Sequence, residues 1–373
     1  MNVLITGAQG FIGKNLALHL AERRDVSVRQ FTRENTLDEL PGLLQDVDTV
    51  FHLAGVNRPQ DPSEFTRGNA DLTQALCQAV AARGNERPIT LIYTSSTQAA
   101  SDNPYGLSKR AAEDALFALQ GRHGASVHVF RLPNVFGKWC RPNYNSAVAT
   151  FCHHIARDLP IQVNDAAAPL TLAYVDDVVA RFIQLMDGAA AASDAQGFAA
   201  LTPTYQTTVG EVADKLRGFK GSRATLTTDR VGTGLTRALY STYLSYLPPE
   251  DFAYAVPRHA DPRGVFVEML KTPDCGQFSF FTALPGVTRG GHYHHSKTEK
   301  FLVIQGQARF RFRHMLSGET HELHTHGDAP QVVETVPGWT HDITNTGEHD
   351  MVVMLWANEI FDRERPDTFA SPV

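Results

Sequence analysis

The stretch Met1-Asn-Val-Leu-Ile-Thr-Gly7-Ala-Gln-Gly10-Phe-Ile-Gly13 decides the fold of the first part of the chain. The run Val3, Leu4, Ile5 predicts a buried strand, since a parallel strand covered on both faces reads as continuous apolar sequence. The apolar pattern resumes at Lys14-Asn-Leu-Ala-Leu-His-Leu20 as a helix, with Gly7, Gly10 and Gly13 in the turn between. Such a turn lets backbone approach a pyrophosphate closely. The helix behind it aims free N–H groups and a partial positive charge at the anion. Three glycines at this spacing after a first strand predict a dinucleotide site at Gly7, Gly10, Phe11, Ile12 and Gly13.

Outward from that turn the pattern repeats. A second strand is predicted at Val26 to Phe31, and in such folds the residue about 20 positions past the last glycine meets the adenosine ribose. That count reaches Arg33, not an acid. An arginine pairs with a 2′-phosphate, which favours NADP over NAD. Asp48-Thr-Val-Phe-His-Leu-Ala-Gly55 predicts a buried strand whose end, Leu53, Ala54 and Gly55, lets a cofactor lie against the backbone. Asp71 to Arg83 has helical spacing at Leu72, Ala75, Leu76, Ala79 and Val80. Alternating strand and helix predict a doubly wound parallel sheet.

Next, Leu91-Ile-Tyr-Thr-Ser-Ser-Thr97 predicts a strand ending in hydroxyls, and Tyr105-Gly-Leu-Ser-Lys109 opens a helix running through Leu119. Tyrosine and lysine four apart share a helix face. An ammonium beside a phenol favours the phenolate, so the expectation is a lowered Tyr105 pKa and a usable acid and base. A serine at the strand end would hold the substrate oxygen against it.

Size and composition limit the remaining possibilities. The chain has 373 residues, enough for two domains, with 42% hydrophobic and 20% charged residues and a formal net charge of -6, so it lacks the basic footprint of a nucleic-acid binder. Cys77, Cys140, Cys152 and Cys275 show no C-x-x-C spacing and read as reduced thiols. No apolar run approaches the roughly 20 residues of a membrane span. The expected location is the cytoplasm.

With these residues in view, residues 1–245 resemble the extended short-chain dehydrogenases/reductases, the family of nucleotide-sugar epimerases, dehydratases and ketoreductases. The resemblance implies a Rossmann-type fold, with Tyr105 as proton donor, Lys109 as its partner and ribose ligand, and Ser96 as the substrate-orienting hydroxyl. Thr97 takes that place if the register slips by one. Arg131-Leu-Pro-Asn-Val-Phe-Gly137 resembles the family segment whose asparagine, here Asn134, faces the nucleotide-sugar, and Tyr174-Val-Asp-Asp-Val178 resembles a later one. Only eight residues separate Ser96 from Tyr105, and Ser95-Ser-Thr-Gln-Ala99 offers no further acid or base. Simple ketone reduction, which needs hydride and one proton, is therefore favoured. Arg141-Pro-Asn-Tyr-Asn-Ser146 and the helical pattern of Ala147 to Ala156 would form part of a smaller substrate lobe.

The alanine-rich stretch 189–200, a short helix at Val209 to Leu216, and Pro248 with Pro249 lead to a boundary at 245/246. Beyond it strand alternation and histidines dominate. In Gly286-Val-Thr-Arg-Gly-Gly-His-Tyr-His-His-Ser-Lys-Thr-Glu-Lys-Phe-Leu-Val-Ile-Gln-Gly306, His292 and His294 stand two apart on a strand and so share one face. Glu299 follows a turn, and His341 in Val336-Pro-Gly-Trp-Thr-His-Asp-Ile-Thr-Asn345 offers a fourth ligand. Three imidazoles and one carboxylate suit zinc, with iron, manganese or nickel as alternatives. The spacing resembles the two cupin motifs, which implies an all-β jelly-roll domain over residues 246–373. Asp261-Pro-Arg-Gly-Val-Phe-Val-Glu268 resembles a segment of the deoxysugar epimerases that are cupins, where an arginine, here Arg263, contacts the nucleotide-sugar.

The combination resembles, over nearly the whole chain, including 143–152 and 291–301, the bifunctional capsule-biosynthesis enzymes of the UDP-N-acetyl-L-fucosamine pathway. That resemblance implies C3 epimerisation of a UDP-2-acetamido-2,6-dideoxy-4-hexulose in the cupin, then NADPH reduction of the C4 ketone to the L-talose sugar. It also implies a homodimer. His295, Tyr293, Lys297 and His324 are all open as the C3 base. The alternative is a reductase or epimerase of another nucleotide-sugar, with the cupin a non-catalytic sugar-binding or dimerising module.

Overall fold

Val3, Leu4 and Ile5 have no exposed surface, because β1 (Asn2–Thr6) lies inside a sheet rather than at its edge. The computed structural model describes residues 1–84, 87–261, 264–267, 269–270, 272, 276–359, 362 and 364–373. They divide into two units, Met1–Val135 with Thr171–Tyr205, and Phe136–Leu170 with Gln206–Val373.

In the first unit β1 is joined by β2 (Ser27–Phe31), β3 (Thr49–His52), β4 (Ile89–Ser96) and β5 (Ala125–Leu132), in the order β2-β1-β3-β4-β5 with every pairing parallel. The chain order reverses between β1 and β3, and ligands of open α/β sheets bind in the crevice beyond the strand ends at such a switch point. Helices α1 (Phe11–Ala21), α2 (Leu72–Ala82) and α3 (Pro104–Leu119) connect the strands. Leu76 and Val80 of α2 and Ala112 and Leu116 of α3 pack with Leu4, Val50, Leu91 and Val129 in one buried cluster. Each large apolar side chain so buried contributes about 1.5 to 3 kcal/mol. α3 starts sharply because the Asn103 side chain accepts from Gly106 N–H at 2.8 Å and Pro104 occupies the first turn. The predicted strands and helices of this unit are present within three residues at their ends, and a π-helical turn, Thr66–Asp71, precedes α2.

In the second unit α4 (Ala147–Ala156), α5 (Val209–Thr225) and α6 (Gly234–Leu244) pack on one another. The sequence pattern predicted α5 only as far as Leu216 and did not predict α6, which is buried at every position from Ala238 to Leu244 and so shows no amphipathic stripe. Ten strands form two antiparallel sheets: β6 (Ala253–Ala255), β7 (Gln277–Ala283), β8 (Thr288–Tyr293), β9 (Glu299–Gln305), β10 (Gln307–His314), β11 (Thr320–His326), β12 (Gln331–Glu334), β13 (Trp339–Asn345), β14 (Met351–Ala357) and β15 (Phe369–Ala370). Their orders are β7-β14-β9-β12-β6 and β11-β10-β13-β8-β15. The sheets meet face to face through Phe301 and Phe310, ring centroids 5.8 Å apart. Arg258–Asp261 also pairs antiparallel with Gly264–Val267.

A buried ionic group ties helices to strands within this unit. Glu334 accepts from both Lys300 and Arg223, and Lys300 also donates to Tyr254 at 3.1 Å. Burial alone would raise the Glu334 carboxyl, but Arg223 and Lys300 hold it down. A carboxylate this deep is tolerated only because two cations saturate it. No helix among the described residues is long and apolar enough to cross a membrane.

Candidate functional site

The glycine turn is shaped by close approach. Gly7 has φ of +72°, and a Cβ there would lie 2.6 Å from the Ala54 nitrogen; a Cβ on Gly13 would lie 2.2 Å from the Gly7 carbonyl oxygen. Gly10 caps α1 with extended backbone and no side-chain hydrogen bond, and the first helical turn, with Phe11 and Ile12, holds no acid. The N–H groups there are unopposed by negative side chains, as an anion site needs. Leu53 N–H donates to the Thr6 carbonyl at 3.1 Å, so the end of β3 runs beside the turn. A Cβ on Gly55 would meet Asn69 Oδ1 at 2.9 Å and Lys109 Nζ at 3.1 Å. The turn, Leu53-Ala54-Gly55 and Lys109 therefore line one crevice. Arg33 is exposed, two residues beyond β2, whose final carbonyl at Phe31 accepts from Gly7 N–H at 3.2 Å.

Of the hydroxyls ending β4, Ser96 accepts from Gln98 N–H at 3.2 Å, and its side chain acts on the Tyr105 phenol. Ser95 is buried and donates to Glu113, which a two-point pair with Arg131 holds at 3.0 and 2.6 Å. Thr97 begins a short helical turn. The expected lowering of the Tyr105 pKa is not found. Burial raises the phenol, with the Ser96 side chain working against it. The reason lies in where the lysine points: Lys109 donates to Tyr93 Oη at 3.2 Å and to the Thr94 carbonyl at 3.0 Å. Burial lowers Lys109 itself to about 8, against the pull of Glu113.

Three residues here escaped the sequence reading. Asn69 sits in the π-helical turn, where its side chain accepts from Val56 N–H at 2.9 Å and donates to Ser108 Oγ at 2.9 Å and to the Val56 carbonyl at 3.0 Å. His52, lowered to about 3 by burial and then by Lys109, bridges Thr6 Oγ1 at 2.7 Å and Thr73 Oγ1 at 2.8 Å. Tyr93 is the third, through its bond to Lys109. No local spacing marks any of them. Asn134 is exposed in the strand Asn134–Phe136, and Arg263 lies outside the described residues.

In the second unit His292, His294, Glu299 and His341 bring one ligand atom each to within 4.8 Å of one another. His292 and His341 face each other across β8 and β13, beside a bulge that Gly290 (φ +101°) and Gly291 (φ +73°) permit. His294 Nε2 lies 3.1 Å from Glu299 Oε2, and its Nδ1 bonds the Asp367 carbonyl. Burial, then His341 and His294, lowers His292 to about 3. Burial alone would raise Glu299, but His294 above all holds it well below the carboxylate range. His292 is thus neutral and Glu299 ionised at neutral pH. His341 is buried with its Nε2 3.6 Å from Glu299 Oε2 and no hydrogen bond, an orphan that a shared cation would satisfy. These residues fit a divalent metal. Of the four open base positions, Lys297 places Nζ 3.1 Å from Glu299 Oε1. Tyr293 and His295 alternate to the other face of the chain from His292 and His294, and His324 is exposed beside Glu322.

Two family descriptions match this chain: "NAD dependent epimerase/dehydratase family" over residues 3–196 and "Polysaccharide biosynthesis C-terminal domain" over residues 259–369. The UDP-2-acetamido-2,6-beta-L-arabino-hexul-4-ose reductase of Pseudomonas aeruginosa is 64% identical over 373 residues, covering 100% of this chain and 99% of the relative. The crystal structure of the capsular polysaccharide assembling protein CapF from Staphylococcus aureus is 41% identical with a TM-score of 0.65, covering all of both chains. A crystal structure of CapF with the inhibitor 3-isopropenyl-tropolone gives 39% identity and a TM-score of 0.61 over the same coverage.

Proposed function

Because the chain belongs to the NAD dependent epimerase/dehydratase family, in the full-length group that carries a polysaccharide biosynthesis C-terminal domain, we propose that it is a bifunctional nucleotide-sugar enzyme. Residues 246–373 epimerise C3 of a UDP-2-acetamido-2,6-dideoxy-4-hexulose. Residues 1–245 then reduce its C4 ketone with NADPH to UDP-2-acetamido-2,6-dideoxy-L-talose, a precursor of capsular or O-antigen polysaccharide. The enzyme works in the cytoplasm as a homodimer. The observation that carries the reading is that one chain builds both a glycine turn packed against Ala54, with Gly55 beside Lys109, and a His3Glu cluster.

When bound, the nicotinamide supplies hydride, and a divalent cation supplies positive charge against the enolate oxygen that develops as C3 loses its proton. Tyr105 donates the proton to the C4 oxygen, and Ser96 orients that oxygen. Lys109 holds the cofactor ribose. Asn134 and Arg263 hold the nucleotide-sugar, and His292, His294, Glu299 and His341 hold zinc or a similar ion. A tropolone, with adjacent carbonyl and hydroxyl oxygens, is a divalent-cation chelator by its chemistry, so the inhibitor in the CapF structure is in keeping with a metal in this family.

The test is isotope exchange. In deuterated water without NADPH, the protein should place deuterium at C3 of the 4-keto sugar, and His292→Ala should reduce this to the uncatalysed rate. Exchange no faster than the buffer blank would reject the epimerase assignment and leave the second unit a binding module. The cofactor preference has its own outcome. Arg33→Ala should raise KM for NADPH roughly 10- to 100-fold, the worth of a charge-assisted phosphate contact, while KM for NADH barely moves. Equal effects on both cofactors would remove Arg33 from the 2′-phosphate.

A further inference from the structure

We infer that Asp367 is a positioning residue of the four-ligand cluster: its carboxylate fixes the turn between His294 and Glu299, and its own carbonyl fixes which ring nitrogen His294 presents to the other ligands. The inference rests on reading that cluster as a metal site.

His294 and Glu299 are separated by four residues that leave β8 and turn into β9. Three successive amides of that turn need acceptors in a buried setting, and Asp367 supplies all of them. His295 N–H donates to Oδ1 at 2.9 Å, and Ser296 and Lys297 N–H both donate to Oδ2 at 2.7 Å, with Ser296 Oγ 3.1 Å from the same oxygen. Buried amides without acceptors are costly, so the turn has this shape only while the carboxylate is in place. The remaining amides are held from elsewhere: Thr298 N–H by Asn358 Oδ1 at 3.0 Å and Glu299 N–H by Thr335 Oγ1 at 2.9 Å.

The second contact works on the ligand itself. His294 Nδ1 donates to the Asp367 main-chain carbonyl. With the proton on Nδ1, the lone pair is on Nε2, the nitrogen that faces Glu299. Such outer contacts fix tautomer and ring orientation at metal sites.

The residues that follow Asp367 extend the same grip. Phe369–Ala370 pairs with Tyr293 and His292, and Ser371 N–H donates to the Gly291 carbonyl at 2.8 Å. Thr340, next to His341, donates through Oγ1 to the Ser371 carbonyl at 2.5 Å. One segment 70 residues beyond Lys297 of the ligand turn thus braces β8, β13 and the turn between two ligands. No stretch around Asp367 resembles a ligand motif, because its role is exercised through backbone amides.

The test uses the full chain, stripped of metal and titrated with zinc in competition with a colorimetric chelator. Asp367→Ala should bind zinc roughly 10- to 100-fold more weakly than the unaltered protein, and cobalt loaded in place of zinc should show shifted d–d bands. NADPH binding should be unchanged in the same preparation. If Asp367→Ala does not fold, Asp367→Asn keeps the shape and one acceptor oxygen and should show a smaller loss of affinity in the same direction. A folded variant with zinc affinity and cobalt spectrum indistinguishable from the unaltered protein overturns the inference. So does a variant whose metal-free form melts earlier while its affinity per folded molecule is unchanged, since that marks a structural brace only. Zinc binding that survives His292→Ala at full strength instead defeats the metal reading beneath it.

Discussion

Tyr105→Phe should lower NADPH-dependent reduction of the 4-keto sugar by roughly 10²- to 10⁴-fold, the usual worth of a positioned general acid. The substitution removes one oxygen and leaves the ring against Phe65, 5.7 Å between centroids, so the crevice keeps its shape. NADPH affinity, read by fluorescence titration, should be unchanged, and so should deuterium entry at C3. Ketone reduction calls for a protonated donor, and burial holds the phenol in that form at neutral pH. Lys109, proposed to hold the cofactor ribose, brings its positive charge to the crevice only while protonated. Burial lowers Lys109 to about 8, so its cation is present below that pH and lost as pH rises through it. The reduction rate should therefore fall on the alkaline side near pH 8, with the pH of the fall displaced when Tyr93→Phe removes one of the lysine's two acceptors. A Tyr105→Phe protein that reduces the ketone at an undiminished rate would falsify the acid assignment.

The crevice was legible in sequence wherever one element carries the information. Gly7, Gly10 and Gly13 are fixed by backbone approach within a single turn. Tyr105 and Lys109 are one helical turn apart, and His292 and His294 are two residues apart, although β8 ends at Tyr293 and His294 lies just beyond it. Each spacing maps onto a geometry without reference to the rest of the chain. What escaped depends on contacts between distant residues. Lys109 was expected to polarise Tyr105, but the choice of Tyr93 and Thr94 as acceptors follows from how α3 packs on β4, which no i, i+4 rule contains. Asn69 became visible only once the π-helical turn directed its side chain at Val56 and Ser108. α6 was missed because burial all round erases the amphipathic signal on which helix prediction rests. Asp367 lay beyond reach because a carboxylate that accepts backbone amides leaves no trace in the sequence of the turn it holds.

Removing the metal should separate the two activities. Dialysis against a strong chelator should reduce C3 exchange by roughly 10²- to 10³-fold, the loss seen when a preorganised charge opposite a developing oxyanion is taken away. Reduction of a ketone whose C3 already has the product configuration should continue at its former rate. His341→Ala should reproduce the loss, and added zinc should restore the chelated protein but not the variant. Two physical effects are mixed in that loss, and they can be distinguished. A bound ion stabilises the folded state by mass action, and His341 Nε2 lacks a hydrogen bond without one, so chelation should also lower the melting temperature of the second unit. If the ion only braces the sheets, cobalt or manganese that restores the melting temperature should restore exchange in the same proportion. If its charge stabilises the enolate, exchange rates with these ions should differ at equal melting temperature, because Lewis acidity varies while the four ligands do not. Rates that follow only thermal stability across the metals would give the cluster a structural role and return the proton transfer at C3 to side chains such as Lys297.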